Sequence, residues 1–165
     1  MDKAPSSNSH SNQTRSLLTL AILPIFAISS LALILDQWSK ALAGMFFLEP
    51  LFFSSWFKFK LEKNYGIAFS IPLPPALLLP LNLLIFLVVI IFLCKKLNLK
   101  RFSSQLIIAL LSAGAVGNLL DRFQFGFVRD FISLFNFPVF NLADCYITVS
   151  VFLLFWFYDK IKRLN

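Results

Sequence analysis

The sequence predicts an all-α membrane protein of four transmembrane helices, with a small extracytoplasmic β-sheet and a short surface helix. Three observations carry this. The chain of 165 residues is 58% hydrophobic and only 14% charged, where soluble domains carry about 25% charged residues. Four apolar runs are long enough to cross a bilayer. One segment alternates apolar and charged residues with the period of a strand. A soluble fold of this size has too little interior for so much apolar surface, and the mean hydropathy of +0.78 points the same way.

Residues 1–15 are polar and rich in Ser and Asn, and read as a disordered cytoplasmic tail. Leu17–Leu35 follows, 19 residues without a charge. It is longer than the roughly 7–15 residues of a signal-peptide core. It runs into Asp36-Gln-Trp-Ser-Lys40 rather than a small-residue cleavage site, so it reads as a retained span ending at Asp36. Residues 41–70 form an extracytoplasmic insert. Within it, Phe57-Lys-Phe-Lys-Leu-Glu-Lys63 alternates greasy and wet positions, which predicts a strand. With Met45, Phe46, Phe47, Phe52 and Phe53 nearby, a small sheet on the bilayer surface is expected.

Ile71–Leu93 is the second run, 23 residues without a charge. Pro72, Pro74 and Pro75 precede or open its helix, and Pro80 falls early inside it. Phe102–Leu120 is the third, 19 residues without a charge, and Pro138–Tyr158 the fourth, 21 residues with Asp144 as its one charge. A helix rising about 1.5 Å per residue needs roughly 20 apolar residues to span the hydrocarbon layer. Residues 16–160 therefore read as a single four-span membrane domain.

The net charge is +7, yet no basic run interleaves with aromatics on a soluble scaffold, which argues against nucleic acid as a partner. Lys and Arg flank the apolar runs, where they orient spans and meet anionic head groups. Nine lie on the tails and the short second connection, including Lys95, Lys96, Lys100 and Arg101, against six in the longer loops. That bias places both termini in the cytoplasm. Cys94 and Cys145 make neither a zinc cluster nor a disulfide framework. The single histidine, His10, lies in the tail, so a Ser/His/Asp or Cys/His hydrolase lacks its base.

An up-down chain of four spans brings Asp36, Asn64, the group Asn118, Asp121 and Arg122, and the pair Asn141 and Asp144 to one side of the membrane. Carboxylates in hydrocarbon cost about 2.5–3.5 kcal/mol at mid-depth and usually face a partner or cavity. Asp144 lies six residues past Pro138, roughly 9 Å along a helix. Asp130 precedes it by 14 residues, and the segment Arg129-Asp-Phe-Ile-Ser-Leu-Phe135 is expected to form a short amphipathic turn that carries Asp130 over the mouth of the bundle. Two carboxylates sharing a site divide the roles of acid and base. That is the chemistry of aspartic proteolysis, and it needs no His, Ser, Cys or metal. Asp pairs also serve ion transporters, so both readings stand at this point.

The neighbours of the pair also have plain readings. Asp36 and Lys40 stand four apart as an interfacial ion pair. Asn64 and Gly66 fit a turn. Gly114 and Gly117 allow helices to pack closely. Asn118 and Arg122 lie one turn apart, and Asn141 lies three residues before Asp144.

Five segments are more specific. Asp36-Gln-Trp-Ser-Lys40, Asn64-Tyr-Gly-Ile-Ala-Phe-Ser70, Gly114-Ala-Val-Gly-Asn-Leu-Leu-Asp-Arg122, Gly126-Phe-Val-Arg-Asp-Phe131 and Pro138-Val-Phe-Asn-Leu-Ala-Asp144 resemble, in order, the signature of the lipoprotein signal peptidases, the signal peptidase II family. The resemblance covers about residues 17–160 of the chain. Departures are Ala113, where a second glycine is common, and Phe137, where tryptophan is frequent; neither touches a carboxylate.

The resemblance implies a membrane aspartic endopeptidase with Asp130 and Asp144 as catalytic residues. Asp36, Lys40, Asn64, Gly66, Asn118, Arg122 and Asn141 would bind substrate. The substrates would be diacylglyceryl-modified prolipoproteins, cut before the lipidated cysteine, with no cofactor and no metal. Its setting would be the bacterial inner membrane, as a monomer among membrane lipids, with the site near the outer face. The rivals are a transporter, a metal-dependent lipid phosphotransferase and a non-enzymatic assembly subunit. A transporter needs polar residues through the bilayer depth, and the cytoplasmic halves of the spans offer little beyond Thr19 and Asn82. A phosphotransferase needs a tighter acidic cluster.

Overall fold

The computed structural model describes residues 7–47, 49–66, 74–135 and 137–163. In chain order these form α1 (Ser7–Phe46), β1 (Leu51–Phe52), β2 (Phe57–Asn64), α2 (Pro75–Lys96), α3 (Phe102–Phe125), β3 (Val128–Leu134) and α4 (Leu142–Ile161). Four helical stretches have the length and composition to cross a membrane: Ile22–Phe46, Leu77–Lys96, Phe102–Phe125 and Leu142–Ile161. Their outward faces carry large apolar side chains such as Phe26, Phe92, Phe152 and Phe155, the last 80% exposed. In water that surface would be untenable, and in lipid it is the ordinary case.

Helix α3 is the centre of the bundle and packs against α1, α2 and α4. Its contact face is built from Ala109, Ala113, Gly114 and Gly117, all buried. Small residues let helix backbones approach where hydrocarbon supplies no hydrophobic drive between them. A methyl group added at Gly114 would collide with the Ala143 carbonyl oxygen and lie 2.7 Å from Ile147. At the far end of the bundle, Leu93, Leu97, Ile107, Ile108 and Ile161 make an apolar knot. There Asn98 N donates to Ile161 O, and Arg163 N to Lys96 O, each at 2.8 Å. The α2–α3 connection and the C-terminal tail therefore share one end.

The sheet occupies the other end. Its order is β1-β2-β3, antiparallel throughout. Stacked rings of Phe47 and Phe59, with centroids 4.8 Å apart, and Phe131 beside them seat it on the end of α1. Helix α3 stops at Gly126, whose φ of 79° lies in the left-handed region and whose N–H donates to Arg122 O. Glycine alone enters that region without steric cost. The reversal sends Val128–Leu134 back across the bundle as a strand.

Several boundaries differ from the sequence reading. Helix α1 begins at Ser7, so residues 7–15 continue the helix instead of forming tail, because extending a nucleated helix adds one hydrogen bond per residue fixed; residues 1–6 lie outside the described ones. The same helix runs past Asp36 to Phe46. Asp36 and Lys40 are thus mid-helix and buried, with their charges met from α3. Residues 41–46 of the insert are helical for the same reason. The segment Arg129–Phe135 forms no surface turn or helix. It is strand β3 because β2 offers a free edge with matching register, Glu62 opposite Asp130 and Asn64 opposite Val128. Helix α4 starts at Leu142, not Pro138. Phe140 exchanges backbone hydrogen bonds with Ile132, which holds the preceding residues extended. Asp144 therefore sits in the first turn, shallower than expected. Pro74 and Pro75 open α2 as expected, whereas Pro72 is outside the described residues. Asn82 lies in the second turn of α2, at the sheet end rather than the opposite half.

The glycines supply a matched test. Gly44 is also in a helix, yet a methyl group there meets nothing within 4 Å. Gly44→Ala should raise stability by about 0.5–1 kcal/mol through helix propensity. The same substitution at Gly114 should lower it by about 1–3 kcal/mol through overpacking. Thermal melts of the two variants in detergent read the opposite signs.

Candidate active site

The site grows from one buried cation. Lys40 on α1 is 0% exposed. Its Nζ lies 2.9 Å from Asp36 Oδ2 and 3.6 Å from Asp121 Oδ2, and donates to Asn118 Oδ1 at 3.0 Å. An ammonium group donates only. Asn118 must therefore turn its oxygen to Lys40 and its amide NH2 away, and Nδ2 then donates to Asp144 Oδ1 at 2.9 Å. The chain from cation to carboxylate has no free choice in it.

The two carboxylates beside Lys40 each fix a different element. Asp36 Oδ1 accepts from Ala143 N at 2.9 Å, capping the first turn of α4 from a neighbouring helix. Asp121 accepts from Arg129 N at 2.9 Å and from Arg129 Nη2 at 2.7 Å, pinning the start of β3 one residue before Asp130. Gln37 joins the group, donating to Asp36 and to Gly117 O and accepting from Arg129 Nη2.

Asp130 and Asp144 meet at Asn141. This residue caps α4: its Oδ1 accepts from Asp144 N at 3.1 Å, and its own N donates to Asp144 Oδ2 at 3.2 Å, a reciprocal capping box. Its Nδ2 donates to Asp130 Oδ1 at 2.5 Å and to Asn118 Oδ1 at 3.2 Å. From the sheet, Asn64 Nδ2 donates to Asp130 Oδ2 at 2.9 Å, past a register slip in β2 between Phe59 and Glu62. Asp130 is 2% exposed. Its acid is raised to about 7 by burial; the Asn64 bond opposes this, the charge of Asp144 adds to it, and Asn141 and Lys40 oppose it.

Both carboxyl groups line one cavity of about 560 Å³ between α2, α3, α4 and the sheet. Asn64, Asn118 and Arg122 share its polar mouth, and Ile85, Val89, Leu111 and Val151 are among the apolar residues lining it. Arg122 Nη2 donates to Gly66 O at 2.9 Å, while its buried Nε has no partner among the described residues. A buried guanidinium nitrogen without a partner keeps one donor to spare beside the cavity.

A model of the family described as signal peptidase (SPase) II matches residues 28–159. The chain belongs to the signal peptidase II family. The resemblance read from the five segments is thereby borne out. The lipoprotein signal peptidase of Teredinibacter turnerae is 34% identical over 150 residues, 85% of this chain and 89% of that one. That of Caldicellulosiruptor bescii is 38% identical over 128 residues, 73% and 81% of the two chains. A solved bacterial membrane enzyme superposes with a TM-score of 0.70 at 26% identity, covering 82% of this chain and 87% of its own. A second solved bacterial membrane enzyme gives 0.66 at 26% identity, over 80% and 90%. This member of the signal peptidase II family is a multi-pass membrane peptidase.

The structure sorts the residues singled out in sequence. Asp130, Asp144, Asn64, Asn118 and Arg122 face the cavity. Asp36, Lys40 and Asn141 do not; they are fully buried and stand behind the carboxylates as their support. Gly66 lies beside the cavity as the carbonyl partner of Arg122. Gln37 and Arg129 were not anticipated. Arg129 shows itself only once its segment is read as a strand, where it sits next to Asp130 and its N–H is free to face α3. Cys145 is half-buried next to Asp144 and has no thiol partner.

Two measurements probe this arrangement. Lys40→Met leaves the buried Asp36 carboxylate without a cation and should cost about 3–5 kcal/mol of stability, read as loss of a cooperative melt in detergent. Asp130 gives a pH signature. Its folded acid is weaker than the unfolded one, so the native state binds the extra proton and stability falls as pH rises from about 4 to about 7. Asp130→Asn should flatten that slope in melts recorded across the same window.

Proposed function

We propose that this member of the family is an aspartic endopeptidase that removes signal peptides from diacylglyceryl-modified prolipoproteins in the bacterial inner membrane, cutting before the lipidated cysteine. The observation that carries the reading is that Asp130 and Asp144, from different elements, are hydrogen bonded to the same residue and open on the same cavity. With Asp130 raised to about 7 by its burial, its carboxyl can hold a proton near neutral pH. The relatives named lipoprotein signal peptidase point to the substrate class.

In the mechanism, a water lies between the two carboxyl groups. Asp144 takes a proton from it as its oxygen attacks the scissile carbonyl carbon. Asp130 gives its proton to the carbonyl oxygen, so no bare oxyanion forms. The tetrahedral diol collapses as Asp144 returns its proton to the leaving nitrogen, the C–N bond breaks, and Asp130 recovers a proton from the diol. Asn64, Asn118 and the unpaired Arg122 Nε bind substrate backbone at the mouth. The lipid anchor, held in the bilayer, orients the peptide without a rigid soluble pocket.

The distribution of Lys and Arg supports cytoplasmic termini, which puts the sheet and the cavity at the outer face. The chemistry uses no metal or other cofactor. An ion transporter is disfavoured by the clustering of the polar residues at one end of the bundle.

A synthetic prolipopeptide bearing a diacylglyceryl cysteine, incubated with purified protein, tests the proposal. Asp130→Asn and Asp144→Asn should each lower turnover by at least about 10²–10⁴-fold while retaining a cooperative melt. Cleavage should survive EDTA. Normal processing by either variant would refute the dyad.

A further inference from the structure

The apolar part of the cavity contains two polar side chains that the mechanism does not use. Asn82 on α2 and Thr148 on α4 both line it. Their helices start at the sheet end, and the spans begin at Leu77 and Leu142. At about 1.5 Å per residue, Asn82 and Thr148 lie roughly 8 and 9 Å past those starts, and both border the same cavity. Asp144 is roughly 3 Å down by the same measure. The polar level is thus roughly 5–6 Å below the carboxylates, inside an otherwise apolar lining.

Both side chains keep hydrogen-bonding capacity to spare. Asn82 Nδ2 donates to Leu78 O, one turn back, which leaves its second N–H and its oxygen. A threonine in a helix commonly donates its hydroxyl to the carbonyl four residues earlier. Here that carbonyl belongs to Asp144, and no hydrogen bond from the Thr148 hydroxyl is present among the described residues. Polar groups with open valences in the hydrocarbon layer are costly and mark ligand paths. Neither carries a charge, and each keeps a donor, so a neutral acceptor is a fitting ligand.

We infer that Asn82 and Thr148 form a hydrogen-bonding rung that receives the ester carbonyls of the substrate's diacylglyceryl group. This rests on the peptidase reading above. With the scissile carbonyl at the carboxylates, eight bonds lead from its carbon through the cysteine side chain, sulfur and glycerol to an ester carbonyl. That arm is on the order of 10 Å when extended, enough to cover the difference in depth. The acyl tails then continue along Ile85, Phe86, Val89 and Val151 toward lipid.

The test uses the full chain and two prolipopeptides, identical except that the cysteine carries a diacylglyceryl or a dialkylglyceryl group. The ether keeps the tails and removes the carbonyls. Wild type should favour the ester by about threefold to tenfold in kcat/KM, the range of one or two hydrogen bonds. Asn82→Leu and Thr148→Val should each shrink that ratio, and the double variant should bring it near one. Thr148→Ser, which keeps the hydroxyl, should preserve it. No ester preference in wild type, an unchanged ratio in the double variant, or equal losses on both peptides overturns the rung. Wild type that leaves both peptides intact refutes the peptidase reading, and the rung with it.

Discussion

One buried ammonium group organises the catalytic end of this protein. Lys40 is out of reach of water, and a lone cation in such a place is costly enough that the fold must surround it with acceptors. The acceptors are Asp36, Asp121 and Asn118. None is idle on its other side. Asp36 caps α4, Asp121 grips the first residues of β3, and Asn118 passes its amide hydrogens to Asp144. Solving the problem of one charge therefore fixes the two elements, β3 and α4, that hold Asp130 and Asp144.

The rest follows from how little space this leaves. Gly117 faces Asp36 so closely that an added methyl group would lie 2.5 Å from its Oδ2. Gly114 brings α3 against the first turns of α4 in the same way. The amide groups between the charges are oriented from both ends. Lys40 is donor-only and the carboxylates are acceptors, so Asn118 and Asn141 have one arrangement each that satisfies all parties. Held this way, the two carboxyl groups have little room to move relative to each other. Open valences do lie around the cavity: Arg122 Nε is unpartnered beside its mouth, and Asn82 and Thr148 are in its lining.

Much of this was legible in the residues themselves. Four spans follow from run length, and β2 from its alternation. The convergence of Asp36, Asn64, Asn118 and Asp144 follows from counting crossings. The errors fell at element ends. A charge pattern at Asp36–Lys40 looks like the edge of the membrane, because sequence shows charges without showing that α3 meets them. A surface turn at Arg129–Phe135 is a fair reading of an amphipathic segment, but the free edge of β2, distant in sequence, makes it a strand. Asn141 and Asp144 read as helical neighbours inside a span, and are instead the cap and first turn of α4. Arg129 and Gln37 carried no local signal, since their work lies in bonds to residues on other elements.

Residues read segment by segment settled the solvent, the number of crossings and the two candidate acids. Those depend on composition, on run length and on side-chain chemistry, which are properties of single segments. Only the tertiary structure decided which polar residues touch substrate space and which stand behind it. Asp36, Lys40 and Asn141 are as polar as Asn64 and Arg122, and no periodicity tells the two groups apart. The difference is whether another helix or strand comes within hydrogen-bond distance, and that depends on packing between segments tens of residues apart in the chain.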